Sequence, residues 1–170
     1  SLAIFPFVSG SGTDVTFALE VTTQVVEKLK HLDALPVAPF SQSTELSGSG
    51  MSPVEAASQM GVDVYLTGEV TQRDSMITVE VFLNETRSDE LVWNESYERR
   101  EKDILNLYRD IARGAIGMSG FVLSADEDRL LSKNRVVSPE AYRLLIRGRT
   151  KRNASNERDF QRGFQDLNRA

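Results

Sequence analysis

Three runs of alternating residues, separated by turns of a few polar residues, constrain this chain more than any other feature. In Gly61-Val-Asp-Val-Tyr-Leu-Thr-Gly-Glu-Val70, the apolar Val62, Val64, Leu66 and Val70 alternate with Asp63, Tyr65, Thr67 and Glu69. Gln72-Arg-Asp-Ser75 can turn the chain, and Ile77, Val79, Val81 and Leu83 repeat the period of two. After residues 84–89, Leu91, Trp93 and Tyr97 run back. Side chains two apart share a face of an extended strand, so each run has one buried and one wet face. Turns this short join antiparallel neighbours, because a parallel return needs a crossover of a dozen residues or more. The pattern predicts an antiparallel meander.

The chain before the meander supplies crossovers. Leu2-Ala-Ile-Phe-Pro-Phe-Val8 is apolar throughout, as a doubly buried strand would be, and its abrupt start suggests a domain cut from something longer. Ala18, Val21, Thr22, Val25, Leu29 and Leu32 follow helical spacing, with Glu27, Lys28 and Lys30 pointing away. Leu35-Pro-Val-Ala-Pro-Phe40 reads as a short edge strand, since its prolines donate no ladder hydrogen bond, and residues 41–50 read as a Ser/Gly-rich loop. Ser52-Pro-Val-Glu55 combines an N-cap serine, proline at the first helical position and a glutamate placed for a capping box; Gly61 stops that helix. After the meander, Ile104, Tyr108, Ile111, Ala115, Met118 and Val122 mark a long helix. Gly114, Gly117 and Gly120 weaken its second half, through fraying or to allow a close approach. Right-handed crossovers make the first three strands parallel, with the meander extending the same sheet. The fold class is α/β: three layers, α/β/α, around a five-stranded mixed sheet whose fourth strand is antiparallel.

Charge divides the chain. Residues 1–134 carry 11 Lys/Arg against 21 Asp/Glu, a net −10; residues 135–170 carry 9 against 4, a net +5. The two parts sum to the −5 of the whole, and the change suggests a boundary near Ser132. Residues 1–131 are read as the α/β domain and residues 132–170 as a linker and a helical hairpin, opened by Ser138-Pro-Glu-Ala-Tyr142 and interrupted by Gly163. A single helix pair cannot bury its own apolar face, so residues 160–170 are expected to dock on the body or on another copy, or to be poorly ordered. The absence of cysteine excludes thiolate metal sites, disulfides and cysteine nucleophiles. No apolar run is long enough for a membrane helix.

Taken in order, these signatures resemble the TolB amino-terminal-domain-like family of bacterial multidomain regulators. Ser1-Leu-Ala-Ile-Phe-Pro-Phe7 resembles its opening strand, residues 61–70 its Gly-x-x-Tyr-x-Leu-x-Gly-x-Val segment, and Glu90-Leu-Val-Trp-Asn-Glu-Ser-Tyr97 its Leu-Trp-x-x-x-Tyr strand. Asp103-Ile-Leu is similar to the start of its long helix, and residues 138–149 to the first helix of the tetratricopeptide array that commonly follows. The resemblance implies strand order 2-1-3-4-5, and a place beside a DNA-binding, adenylate cyclase or kinase module, upstream of repeats. It implies no catalytic residues. The loop at residues 9–13 departs from the family's longer one.

The search for chemistry is correspondingly thin. His31 is the one histidine, so neither a triad nor a zinc site can be completed around it. Ser9, Gly10, Ser11, Gly12 and Thr13 form the best small-ligand candidate, a Gly-rich loop between a parallel strand and a helix. Against it, Asp14 places a carboxylate where an anion would sit. Glu69, Glu80 and Glu95 could be paired as acid and base, but are read as a solvated sheet face. Trp93 and Tyr97 are read as cross-strand packing that could double as an interaction patch. The basic Arg147, Arg149, Lys151 and Arg152 are read as a helical face suited to an acidic protein neighbour, since nucleic-acid binding would want interleaved aromatics. The expectation is a non-catalytic regulatory or protein-interaction domain needing no cofactor or metal. Its partners would be sister domains, another protein or a second copy, in either bacterial cytoplasm or periplasm; the alternative is a small-ligand sensor at residues 9–13.

Overall fold

The computed structural model describes residues 1–33, 35–120 and 122–132, and the meander stands at its centre. Strands β3 (Val64–Arg73), β4 (Met76–Glu85) and β5 (Leu91–Arg100) pair antiparallel, each with the next. The turns between them use Asp74 at φ 54° and Asp89 at φ 56°. Aspartate is among the few non-glycine residues that enter this region readily.

The first apolar run is broken where one continuous strand was expected. β1 (Leu2–Ile4) and β2 (Val8–Ser9) both pair parallel with β3, Leu2 opposite Val64 and Val8 opposite Glu69. Pro6 between them has no N–H to offer. The Phe7 N–H turns away to donate to Thr22 Oγ1, 2.9 Å off, on helix α1 (Val15–Leu29). That hydroxyl donates onward to the Ala18 carbonyl at 2.8 Å, so the buried Thr22 is fully satisfied. The proline-rich edge strand expected at residues 35–40 shrinks to one parallel bridge, Val37 to Leu2, because Pro36 and Pro39 leave too few donors for a ladder. Read across, the order is the Val37 bridge, β1 with β2, β3, β4 and β5. The mixed α/β sheet is thus as the sequence predicts.

Pleating decides what each helix covers. Leu66, Val70, Ile77, Val79, Val81 and Leu83 share one face and are wholly buried. Helices α1 and α4 (Ile104–Met118) pack on that face and on each other. Burying each such side chain contributes about 1.5–3 kcal/mol, which makes this layer the main source of stability. Among the described residues, the opposite face is covered at one end. There helix α3 (Pro53–Met60) packs Ala56 and Ala57 on Ala3, Phe5 and Tyr65. Tyr65, which alternation assigns to the wet face, is 4% exposed and sits edge-on to Phe5 with ring centroids 6.0 Å apart. The expected capping box is present: Ser52 accepts from the Glu55 N–H, Glu55 accepts from the Ser52 N–H, and Gly61 ends the helix at φ 70°.

Three local expectations are corrected. Residues 41–50 are mostly helix, α2 (Phe40–Gly48), not loop; Leu46 packs on the α3 cluster, so tertiary contact overrides a weak helical composition. The long helix stops at Met118 instead of reaching Val122, because Gly120 turns left-handed at φ 81°. A further helix, α5 (Ala125–Ser132), follows. Ser124 and Glu127 cap it reciprocally at 2.9 and 3.2 Å, buried Leu131 anchors it, and Arg113 of α4 pairs with its Asp128 at 2.7 Å. Ser1–Asn134 form one compact unit. The helical hairpin expected at residues 138–170 lies outside the described residues.

Candidate functional site

The loop at residues 9–13 is tied to the sheet by its own polar groups. The Gly10 N–H donates to the Val70 carbonyl at 2.7 Å, and Thr13 Oγ1 accepts from the Gln72 N–H at 2.9 Å. Gly12 takes φ 75°, which its lack of a side chain permits. Asp14 caps α1 by accepting from the Thr16 N–H at 2.8 Å, so a carboxylate occupies the helix N-terminus that would draw an anion. Ser9 belongs to β2, and Ser11 is exposed. The five candidate residues are brought together; their hydrogen-bonding capacity is largely turned inward.

Trp93 and Tyr97 lie on the helix-covered face of β5, opposite Leu83 and Val79. Both press against Gly114 of α4. A β-carbon there would stand 2.5 Å from the Tyr97 hydroxyl and 2.7 Å from the Trp93 ring. This is the close approach that one of the three glycines allows; Gly117 faces open space, and Gly120 ends the helix. The Tyr97 hydroxyl donates to Glu95 Oε2 at 3.0 Å and lies 3.3 Å from the Asp110 carbonyl. Burial first, and then the Glu95 carboxylate, push its pKa above the ordinary tyrosine value. Asp110 also gathers Arg99 at 3.3 Å and Arg109 at 3.1 Å, which joins β5 to α4. At the other end of the sheet the Tyr65 hydroxyl donates to Asp89, and burial followed by that carboxylate raises its pKa likewise.

The three glutamates do not share a face. Glu95 stands with Trp93 and Tyr97 on the α4 side, because its odd number puts it there. Glu69 and Glu80 are direct cross-strand partners on the opposite face. Among the described residues no helix packs on that region of the sheet. Across β3, β4 and β5 its rows read Thr67–Phe82–Asn94, Glu69–Glu80–Ser96, Thr71–Thr78–Glu98 and Arg73–Met76–Arg100. Glu69, Thr71, Arg73, Met76, Thr78, Glu80 and Glu98 of the last three rows line an open concavity of about 400 Å³, with the three glutamates exposed. Sequence reasoning found the wet side chains but not the surface, since alternation cannot say where helices α2 and α3 stop.

His31 is exposed on the short turn after α1. Among the described residues, no group of three or more His, Asp or Glu is placed to hold a metal ion. No described helix is long and apolar enough to cross a membrane. Arg147, Arg149, Lys151 and Arg152 lie outside the described residues. What the described geometry offers is a scaffold whose buried polar groups fix its architecture and whose half-open sheet presents a patterned, charged surface.

Comparison with known proteins places that scaffold among regulatory modules. Residues 1–113 match the model of the HilA/YgeH-like transcriptional regulator, second domain, and the chain belongs to that family. It is also 26% identical over 151 residues to "Putative adenylate cyclase 3" of Rhizobium meliloti (strain 1021); the match takes in 88% of this chain but only 26% of that protein. Among solved structures, TolB from Acinetobacter baumannii aligns with a TM-score of 0.53 at 15% identity, over 70% of this chain and 28% of that one. A lipoprotein of Neisseria meningitidis aligns with a TM-score of 0.52 at 18% identity, over 68% and 95%. At these identities the two structures establish a shared fold and nothing more. The expected likeness to TolB therefore holds for the fold, while the family is that of the regulators' second domain.

Proposed function

We propose that this chain is a non-catalytic docking domain of a larger bacterial signalling protein. In this reading it holds a neighbouring module or a protein partner and passes on that module's state. The observation that carries the reading is the half of the sheet that no described helix covers: a concave, charge-patterned surface on a body whose other sheet face and remaining end are closed by helices. Surfaces of this kind on one module of a multidomain chain are ordinary sites for inter-domain contact. Support comes from membership in a family defined as a second domain, and from a curated relative about four times longer than the stretch it shares. An effector module upstream, a cyclase or a DNA-binding domain, and tetratricopeptide-like repeats from residue 132 onward belong to the same proposal. In it, Trp93 and Tyr97 brace β5 from behind, and Arg147, Arg149, Lys151 and Arg152 serve the downstream contact.

The competing reading is a small-ligand sensor at Ser9, Gly10, Ser11, Gly12 and Thr13. A thermal-shift series with nucleotides and metabolites separates the two, because a ligand that binds only the folded state raises the melting temperature with its concentration. The docking reading expects no dose-dependent rise with any of them. A saturable rise that Thr13→Ala removes would establish the sensor instead.

A further inference from the structure

The two edges of the sheet are treated differently. Beyond β1, the Val37 bridge and α2 close one edge. Among the described residues no strand pairs with the outer side of β5: its ten residues leave one row of backbone groups open, and Leu91, Val92, Asn94, Glu95, Ser96, Glu98 and Arg100 are exposed. No proline interrupts the strand. Natural proteins rarely leave so long an edge open, because it is a ready template for another strand. The charges along it do not forbid pairing. They select what can pair.

We propose that β5 pairs antiparallel with β5 of a second copy, about a two-fold axis through Ser96 and perpendicular to the sheet. Such an axis keeps each side chain on its own face and sets residue i against residue 192 − i, so the interface is self-complementary. Val92 then faces Arg100 of the second copy, Trp93 faces Arg99, Asn94 faces Glu98, and Glu95 faces Tyr97. No two like charges are opposed, and an aromatic ring meets a cation on one face. Moving the axis to Glu95 or to Glu98 opposes two carboxylates. Moving it to Tyr97 avoids that but shortens the overlap from residues 92–100 to residues 94–100. The Ser96 register alone combines the longer overlap with clean charge pairing. Arg99 already holds the Glu98 carbonyl at 2.8 Å and Asp110 at 3.3 Å, and both contacts compete with its approach to the Trp93 ring of the second copy.

Asn94 tests the register because it is exposed and its new neighbour would be a carboxylate. Sedimentation equilibrium of the 170-residue chain, run from micromolar to near-millimolar concentration, reads the dimer constant. Asn94→Glu sets a carboxylate against Glu98 twice per dimer and is expected to weaken association roughly fivefold, while Asn94→Lys strengthens it by a similar factor. Glu98→Lys combined with Asn94→Glu sets Glu against Lys and should carry the constant past the original, to about the strength that Asn94→Lys gives. A wild-type chain that stays monomeric leaves the edge to a strand of some other protein and overturns the proposal. A dimer whose constant is unmoved by both Asn94 variants, or moved the same way, places the interface elsewhere and overturns it equally.

Discussion

Gly114 and Gly117 sit three residues apart in α4, and the packing expects them to respond oppositely to the same substitution. Gly117→Ala adds a methyl group to open space and removes a flexible residue from a helix, which should stabilise the domain by up to about 1 kcal/mol. Gly114→Ala gains the same helical preference. Its new β-carbon, however, would lie 2.5 Å from the Tyr97 hydroxyl and 2.7 Å from two atoms of the Trp93 ring. Overpacking of this kind costs about 1–3 kcal/mol, so the net change should range from near zero to about 2 kcal/mol of destabilisation. The two variants should therefore differ by about 1–3 kcal/mol in urea denaturation. For a unit of this size that is roughly 3–12 °C in melting temperature, at about 3–4 °C per kcal/mol. Trp93 is the only tryptophan, so its fluorescence reports on the strained contact itself. Relief by swinging the ring outward should red-shift the emission of Gly114→Ala alone. If both variants stabilise alike and neither shifts the emission, α4 does not sit on β5 as described, and the role given to Gly114 is wrong.

Three further outcomes follow from the same structure. Thr22→Val keeps the shape but removes the acceptor of the buried Phe7 N–H, and should cost about 1–3 kcal/mol in chemical denaturation, whereas Thr22→Ser should retain most of the stability. Glu80→Gln relieves the direct opposition to Glu69 and should raise stability by about 0.2–1 kcal/mol, a gain that shrinks with added salt. Tyr65 and Tyr97 have folded-state pKa values raised above the unfolded one, so their contribution is intact below about pH 10 and is lost as the pH climbs through the raised values. Alkaline titration followed at the phenolate absorbance should show both ionising late, and Tyr97→Phe should remove one of the late transitions.

The sequence revealed the sheet more clearly than its coverings. Alternation in β3, β4 and β5 depends only on the pleat, so Leu66, Val79 and Leu83 could be assigned to the core directly. The split of the first strand was hidden because nothing in an apolar run shows that Thr22, on the next helix, will take the Phe7 N–H. Helix α2 was hidden because Ser41, Ser43, Ser47 and Gly48 argue for loop, while the Leu46 contact that holds it is tertiary. Helix α5 could have been found: Ser124-Ala-Asp-Glu127 carries the same capping signature that marked Ser52-Pro-Val-Glu55. Glu95 was grouped with Glu69 and Glu80 by chemistry, although its odd position ties it to Trp93 and Tyr97. The open sheet surface was invisible for a different reason. It is defined by where two short helices end, and periodicity within one strand carries no such information.

The docking role can be tested where it makes contact. Carbodiimide labelling of Glu69, Glu80 and Glu98 would be compared between this chain alone and the longer protein that contains it, with Glu27 and Glu45 on α1 and α2 as exposed references. The expected result is a marked fall in labelling of the three sheet carboxylates in the longer protein, with the two references unchanged. Equal labelling in both forms would mean that the open face touches no neighbour, and would contradict the role given to it.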